Sequence, residues 1–225
     1  MTPPSTPQTG MNGWSARYYL EADLHVISIF STFFFNFFNL GCLILKRLAQ
    51  PYCYSDPGMT RHLYLLRHAE SAEKQSGQSD KDRSLTPRGL RECVVIGTHL
   101  YQQNISFDCI LTSAAQRAED TARFVADAMK MDTEKISVVE ELYEASSRTF
   151  FQFLSGLDDR FNTILIVGHN PVITYVTEYL TQSEIGDMAT GGVAVIKFNI
   201  HSWKEVSQGN GELENYTHPG ILQPD

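Results

Sequence analysis

The chain has 225 residues, 42% hydrophobic and 20% charged, a globular composition whose length suits one domain or one domain with an appendage. Its formal net charge of −8 excludes a non-specific nucleic-acid binder, because a phosphate backbone demands a basic face, but it leaves room for a small basic pocket. Cys42, Cys53, Cys93 and Cys109 form no CxxC pair and no zinc spacing. Cys93 and Cys109 sit in apolar contexts and read as small core residues, and a chain this long buries a sufficient core without a disulfide framework.

Residues 1–58 differ from the rest. The opening MTPPSTPQTG is Pro/Thr-rich and reads as disordered. Val26 to Leu45 is an uncharged stretch of about twenty residues, long enough to span a bilayer as a helix, and Lys46 and Arg47 follow at once. As an anchor it would leave the C-terminal bulk in the cytoplasm. Asn36 and Asn39 weaken its apolar character, while Glu21, Asp23 and the lack of an A-x-A site argue against a cleavable signal. The stretch 26–45 therefore stays open between a membrane anchor, part of a mis-assigned extension ahead of a start at Met59, and a buried or partner-binding helix. The expected organisation is an N-terminal extension, 1–58, and a globular unit, 59–225.

From Arg61 the punctuation becomes regular. HLYLLR reads as a strand. SLTPRGLRECVVIGTHLYQQ reads as a helix capped by Thr86 with Pro87 at its first position, and Leu90, Val94, Gly97 and Tyr101 are expected to share its inner face. FDCILTS is a second strand. AAQRAEDTARFVADAM is a second helix with Ala118, Ala122, Val125 and Met129 at core spacing. KISVVEEL, NTILIVGHN and GGVAVIKFNI are further strands, SRTFFQFLSGL and PVITYVTEYLTQ further helices, and GELENYTHPG adds an edge strand and tail. Such alternation predicts an α/β three-layer sandwich with a mostly parallel central sheet flanked by helices. The connection SAEKQSGQSDKDRS, from Ser71 to Ser84, reads as a mobile polar loop.

Ligands of open α/β sheets bind beyond the carboxyl ends of the strands. There the chain places Arg67 and His68 after the first strand, Ser113 and then Arg117 after the second, and His169 and Asn170 after the fourth. Two arginines and two histidines converging beside helix N-termini suit a tetrahedral phosphate: the arginines bind its oxygens and a histidine supplies a nucleophile. Ser113 and Asn170 serve equally well as helix caps, and His25, His62, His99, His201 and His218 read as structural or exposed.

The motifs LLRHAES, LTPRG, SAAQRAEDTA and VGHNP, in that order and spacing, resemble the histidine phosphatase superfamily, with the phosphoglycerate-mutase-like fold. The short length, the R-H-A form and the compact connections are most similar to its SixA-type phosphohistidine phosphatases. The resemblance covers residues 59–225. It implies that His68 is the nucleophile, forming a phosphohistidine intermediate, and that Arg67, Arg117 and His169 bind the phosphoryl oxygens. It implies no cofactor and no metal.

Members of the superfamily often carry an acid after the third strand. Glu140, Glu141 and Glu144 stand there, and Glu141 fits best by its spacing. An alkoxide leaving group needs that proton, whereas a phosphorylated imidazole titrates near neutral pH and can already carry one. The expected function is a metal-independent, cytoplasmic phosphatase acting on phosphohistidine in a protein. Two alternatives stand beside it: a phosphomonoesterase for small phosphate esters with Glu141 as general acid, and a non-catalytic phosphate-binding module. The expected partner is a phosphorylated protein or small phosphate ester, with no nucleic acid, and a membrane only if 26–45 is a genuine anchor.

Overall fold

A computed structural model describes residues 60–223. The extension with its stretch 26–45, and Cys42 and Cys53, lie outside the described residues. Six strands form one sheet: β1 (Thr60–Arg67), β2 (Cys109–Ser113), β3 (Ile136–Val139), β4 (Thr163–Gly168), β5 (Val193–Asn199) and β6 (Gly211–Thr217). Their order is β3-β2-β4-β1-β5-β6. The pairs β3–β2, β2–β4 and β4–β1 are parallel, and β1–β5 and β5–β6 are antiparallel. The mostly parallel α/β sandwich expected from the alternation is therefore present, with β6 at one edge and β3 at the other.

The helices are α1 (Pro87–Gln102), α2 (Gln116–Ala128), α3 (Ser147–Ser155), α4 (Val172–Thr181) and the single turn α5 (Pro219–Leu222). They cover both faces, so the central strands run apolar without a polar alternate. Leu63 and Leu65 of β1 point with Ile164 and Ile166 toward α3 and α4, where Phe150, Leu154, Ile173, Val176 and Trp203 close one core. Tyr64 and Leu66 point with Leu165 and Val167 to the opposite face, where residues of α1 and α2 close the other. The strands carry period-2 side chains to two cores, and the helices hide the backbone ladder from water. Among the described residues no helix is long and apolar enough to cross a membrane.

Local signals account for the starts of α1 and α3, where Thr86 and Ser146 cap. The Thr86 hydroxyl accepts from Gly89 N–H at 3.0 Å, the N-cap expected ahead of Pro87. Ala118, Ala122, Val125 and Met129 are buried along α2, as their spacing predicts. Cys93 and Cys109 are buried free thiols, and burial pushes them up to about 12 and about 11 respectively.

The inner face of α1 differs from the expectation. Leu90, Val94 and Tyr101 are exposed, at 38%, 54% and 45%, and the buried stripe is instead Cys93, Ile96 and Leu100 with Gly89, Glu92 and Gly97. Both stripes have helical spacing, and close approach selects between them. A Cβ on Gly97 would sit 2.5 Å from the Ala128 Cβ, and one on Gly89 would sit 2.1 Å from the Glu70 carbonyl oxygen. The glycine face is the one that lets α1 lie against α2 and the loop after β1.

Candidate active site

The in-register parallel pairing brings the carboxyl ends of β1, β2 and β4 to one edge. Arg67 pairs with Gly168, and Thr112 with Val167. The chain leaving β1 is fixed on both sides: His68 N–H donates to the Gly168 carbonyl at 3.0 Å, and Arg67 N–H donates to Gly192 at 2.9 Å. One residue on, Ala69 N–H donates to the Thr121 hydroxyl at 3.0 Å, and that hydroxyl donates to the Arg117 carbonyl at 2.6 Å. The loop carrying His68 is thereby tied to the first turns of α2. Glu92, 5% exposed, ties it to α1 by accepting from Glu70 N–H at 2.8 Å.

The His68 ring has a defined orientation. Nδ1 lies 2.8 Å from the Ala69 carbonyl oxygen, which can only accept, so Nδ1 carries the proton. The other nitrogen, Nε2, then bears a lone pair in the neutral ring and receives the Arg117 Nε–H at 3.3 Å. Burial holds the ring neutral, lowering its pKa to about 4 against the pull of the Ala69 bond, and the Arg117, Arg67 and Arg83 charges act in the same direction. The result is an uncharged nucleophilic nitrogen facing a cation.

His169, after β4, stands with its ring centroid 5.0 Å from that of His68. Its Nε2 is 2.8 Å from the Ser113 hydroxyl at the end of β2. Burial first, then the positive charge of protonated His68 and Arg117, lowers its pKa to about 3. Arg67 donates from Nη1 to the Met188 carbonyl and lies 3.8 Å from Asp187. Among the described residues the buried Nε of Arg67 and Nδ1 of His169 have no partner. Buried polar groups are nearly always satisfied, so two orphans at one sheet edge beside two arginines mark a place for a ligand rich in oxygen acceptors.

The structure thus brings Arg67, His68, Arg117 and His169 to one edge, where the strand-end motifs put them. It does not bring Glu141 to them. Glu141 lies exposed in the 3₁₀ turn Glu140–Leu142, with no hydrogen bond or ion pair to any described residue, while Glu140 pairs with Lys81 at 2.8 Å. The residue that follows that turn, Tyr143, faces the site: its ring meets His169 edge-on at 6.1 Å and its hydroxyl donates to Asp80 at 3.2 Å. Asn170 binds Asp187 at 2.6 Å and Met188 at 3.1 Å, bracing the loop that Arg67 also holds.

Tyr143, Asp80 and Arg83 are neighbours of the site that sequence reasoning missed. Asp80 and Arg83 sit in the connection expected to be mobile, and that connection is anchored. Ala72 N–H donates to Ser84 at 2.9 Å, and Arg83 donates to Ala72 at 2.8 Å and to Ser71 at 2.9 Å. The one available signal was composition: a basic residue and an acid three apart within a polar loop, common enough to carry nothing alone.

Comparison with known proteins gives this arrangement its family. The model of the histidine phosphatase superfamily (branch 1) matches residues 63–150, which include Arg67, His68 and Arg117. An uncharacterized Mycobacterium tuberculosis protein is 32% identical over 165 residues, covering 68% of this chain and 99% of that one. The mitochondrial serine/threonine-protein phosphatase Pgam5 of Drosophila ananassae is 28% identical over 147 residues, covering 53% of this chain and 50% of that one. A crystal structure from Agrobacterium tumefaciens, assigned as the phosphohistidine phosphatase SixA, aligns with a TM-score of 0.61 at 25% identity, covering 71% of this chain and 98% of that one. With its fold, its motifs and these relatives, the chain belongs to the histidine phosphatase superfamily, resembles its SixA-type branch, and is a phosphatase.

Proposed function

We propose that this phosphatase removes the phosphoryl group from phosphohistidine in a protein, through a covalent intermediate on His68. The observation that carries the reading is the His68 ring, neutral, with Nδ1–H on the Ala69 carbonyl and Nε2 turned toward Arg117. In the first step Nε2 attacks phosphorus, a new N–P bond forms, and the substrate's P–N bond breaks. The departing imidazole leaves with the proton it already carries near neutral pH. In the second step water attacks the phosphorus on His68, the N–P bond breaks, and inorganic phosphate and free His68 return. Arg67, Arg117 and the orphaned nitrogen of His169 face the charge spread over the phosphoryl oxygens.

The active unit of this proposal is residues 59–225, with 1–58 as an extension. A cytoplasmic setting fits its two buried free thiols. A second reading follows from the similarity to Pgam5, whose name makes it a serine/threonine-protein phosphatase and hence one acting on phosphate esters. An ester's alkoxide needs a proton donor, and the exposed Glu141 would have to turn inward to give it. The phosphohistidine reading needs no such movement and is preferred.

The test uses the full chain and compares phosphate release from a phosphohistidine protein with release from an aryl phosphate. His68→Ala and Glu141→Gln are assayed alongside, and alkaline quenching traps the phosphoenzyme. The reading expects fast release from phosphohistidine, an alkali-stable phosphoenzyme that His68→Ala abolishes with an unchanged melting curve, and indifference to Glu141→Gln. Retained turnover in His68→Ala would overturn the mechanism. Ester hydrolysis that collapses in Glu141→Gln would favour the second reading. Phosphate binding without turnover of either substrate would favour a non-catalytic module.

A further inference from the structure

The Asp80 side chain is partly exposed, at 41%, on a loop, a place where an acid ordinarily contributes little. Its surroundings here are unusual. Asp80 opens the 3₁₀ turn Asp80–Asp82, capped by Ser79. One carboxylate oxygen accepts from Arg83 Nη1 at 3.0 Å, and the other accepts from Arg117 Nη2 at 3.1 Å and from the Tyr143 hydroxyl at 3.2 Å. The Asp80 main-chain carbonyl also accepts from Arg117 Nη1, at 2.8 Å. A single residue therefore grips both terminal nitrogens of the guanidinium, through its side chain and its backbone.

This grip decides which edge of Arg117 faces the chemistry. With Nη1 and Nη2 held, the Nε–H is directed at His68 Nε2, the atom that takes the phosphoryl group. Each terminal nitrogen keeps a second N–H that Asp80 does not use. A phosphoryl group on His68 can thus be met by Arg117 without displacing Asp80. The Arg117 side chain is 9% exposed, so little solvent competes for its orientation. The low pKa of Asp80, set first by its Arg83 bond and then by the Arg117 charge and hydrogen bond, keeps the grip charged through neutral pH.

We infer that Asp80 is a positioning residue: it holds the outer edge of Arg117 so that the inner edge meets the phosphoryl group on His68. This rests on the function proposed above. The competing role for the same contacts is a lid, with the Asp80 carboxylate standing where substrate oxygens must go. The two roles predict different kinetics. A positioning residue acts on kcat, since a guanidinium out of place loses charge stabilisation in the transition state. A lid acts on KM alone, which falls when the lid is removed.

The experiment measures kcat and KM for a phosphohistidine protein with the full chain in four forms: wild type, Asp80→Asn, Arg117→Lys and the double variant. Melting curves show that each form is folded. Asp80→Asn should lower kcat by about 10- to 100-fold with KM unchanged or lower, because a misplaced or missing transition-state donor costs about that much. Lysine offers no fork for Asp80 to hold, so in the Arg117→Lys background Asp80→Asn should change kcat by less than about twofold. A kcat at or above wild type in Asp80→Asn would overturn the inference in favour of a lid. An equal loss in both backgrounds would overturn it too, since Asp80 would then act independently of Arg117. If the wild type forms no phosphoenzyme, the proposed function fails and takes this inference with it. If it forms one and Asp80→Asn forms it at the same rate, only this inference fails.

Discussion

Acidification probes the neutral histidines of the site directly. His68 titrates at about 4 in the folded protein and near 6.5 in an ordinary environment. Between those values the unfolded chain binds a proton at this position that the folded chain refuses. Stability is therefore complete above pH 6.5 and falls as the pH drops toward 4. The gap between about 6.5 and about 4, at about 1.4 kcal/mol per pH unit, sets the loss from His68 at no more than about 3.5 kcal/mol. His169 adds to it in the same direction, but part of its depression arises from a charged His68, so the two losses do not simply sum. Asp80, whose pKa is also lowered, contributes stability that is present above about 3.8 and lost as the pH falls through its folded value, so a window from pH 7 to 5 isolates the histidines. Urea unfolding of wild type across that window should show a free energy that falls with pH. A His68→Gln, His169→Gln double variant should show a flatter dependence, and NMR titration should leave the His68 ring neutral at pH 5. A His68 ring that titrates near 6.5, or a pH dependence identical in the double variant, would refute the neutral, buried site.

Two perturbations test the frame that carries the site. Gly97→Ala places a methyl 2.5 Å from the Ala128 Cβ and 2.8 Å from the Val125 carbonyl, and should destabilise the protein by about 1–3 kcal/mol despite the better helix propensity of alanine. The denaturant midpoint at constant m measures this, and a stabilised variant would mean that α1 and α2 are not in close approach. Arg61, 5% exposed, donates to the carbonyls of Asp159, Phe161 and His201 at 3.0, 2.6 and 2.8 Å. Arg61→Met strips all three and should cost about 2–4 kcal/mol, with turnover per folded molecule unchanged because the residue lies away from the carboxyl edge of the sheet.

The chain's own pattern determines a large part of this protein. Four apolar runs of strand length, each followed by a helix or turn signal, leave little choice but a sheet with covered faces, because such strands cannot meet water on either side. Thr86 followed by Pro87 marks the start of α1 for a local reason, since both act within one turn. That the polar residues after β1, β2 and β4 would meet as a candidate site was legible for the same reason: parallel pairing carries strand ends to a common edge whatever the loops do.

Tertiary structure decided what periodicity leaves degenerate. On α1 the stripe Leu90, Val94, Tyr101 and the stripe Cys93, Ile96, Leu100 are both helical, and only the close approach of Gly89 to Glu70 and of Gly97 to Ala128 turns the second one inward. Beyond β3 the spacing offered Glu141, but the turn Glu140–Leu142 leaves that carboxylate in solvent and faces Tyr143 to His169. Asp80 had only its spacing from Arg83 as a signal, a pattern too common to single it out. It meets Arg117 across 37 positions and Tyr143 across 63, through contacts that exist only once three separate elements have packed. Strand ends are placed by short-range pattern and sheet pairing, whereas a loop residue is placed by whichever partners the finished fold brings within reach.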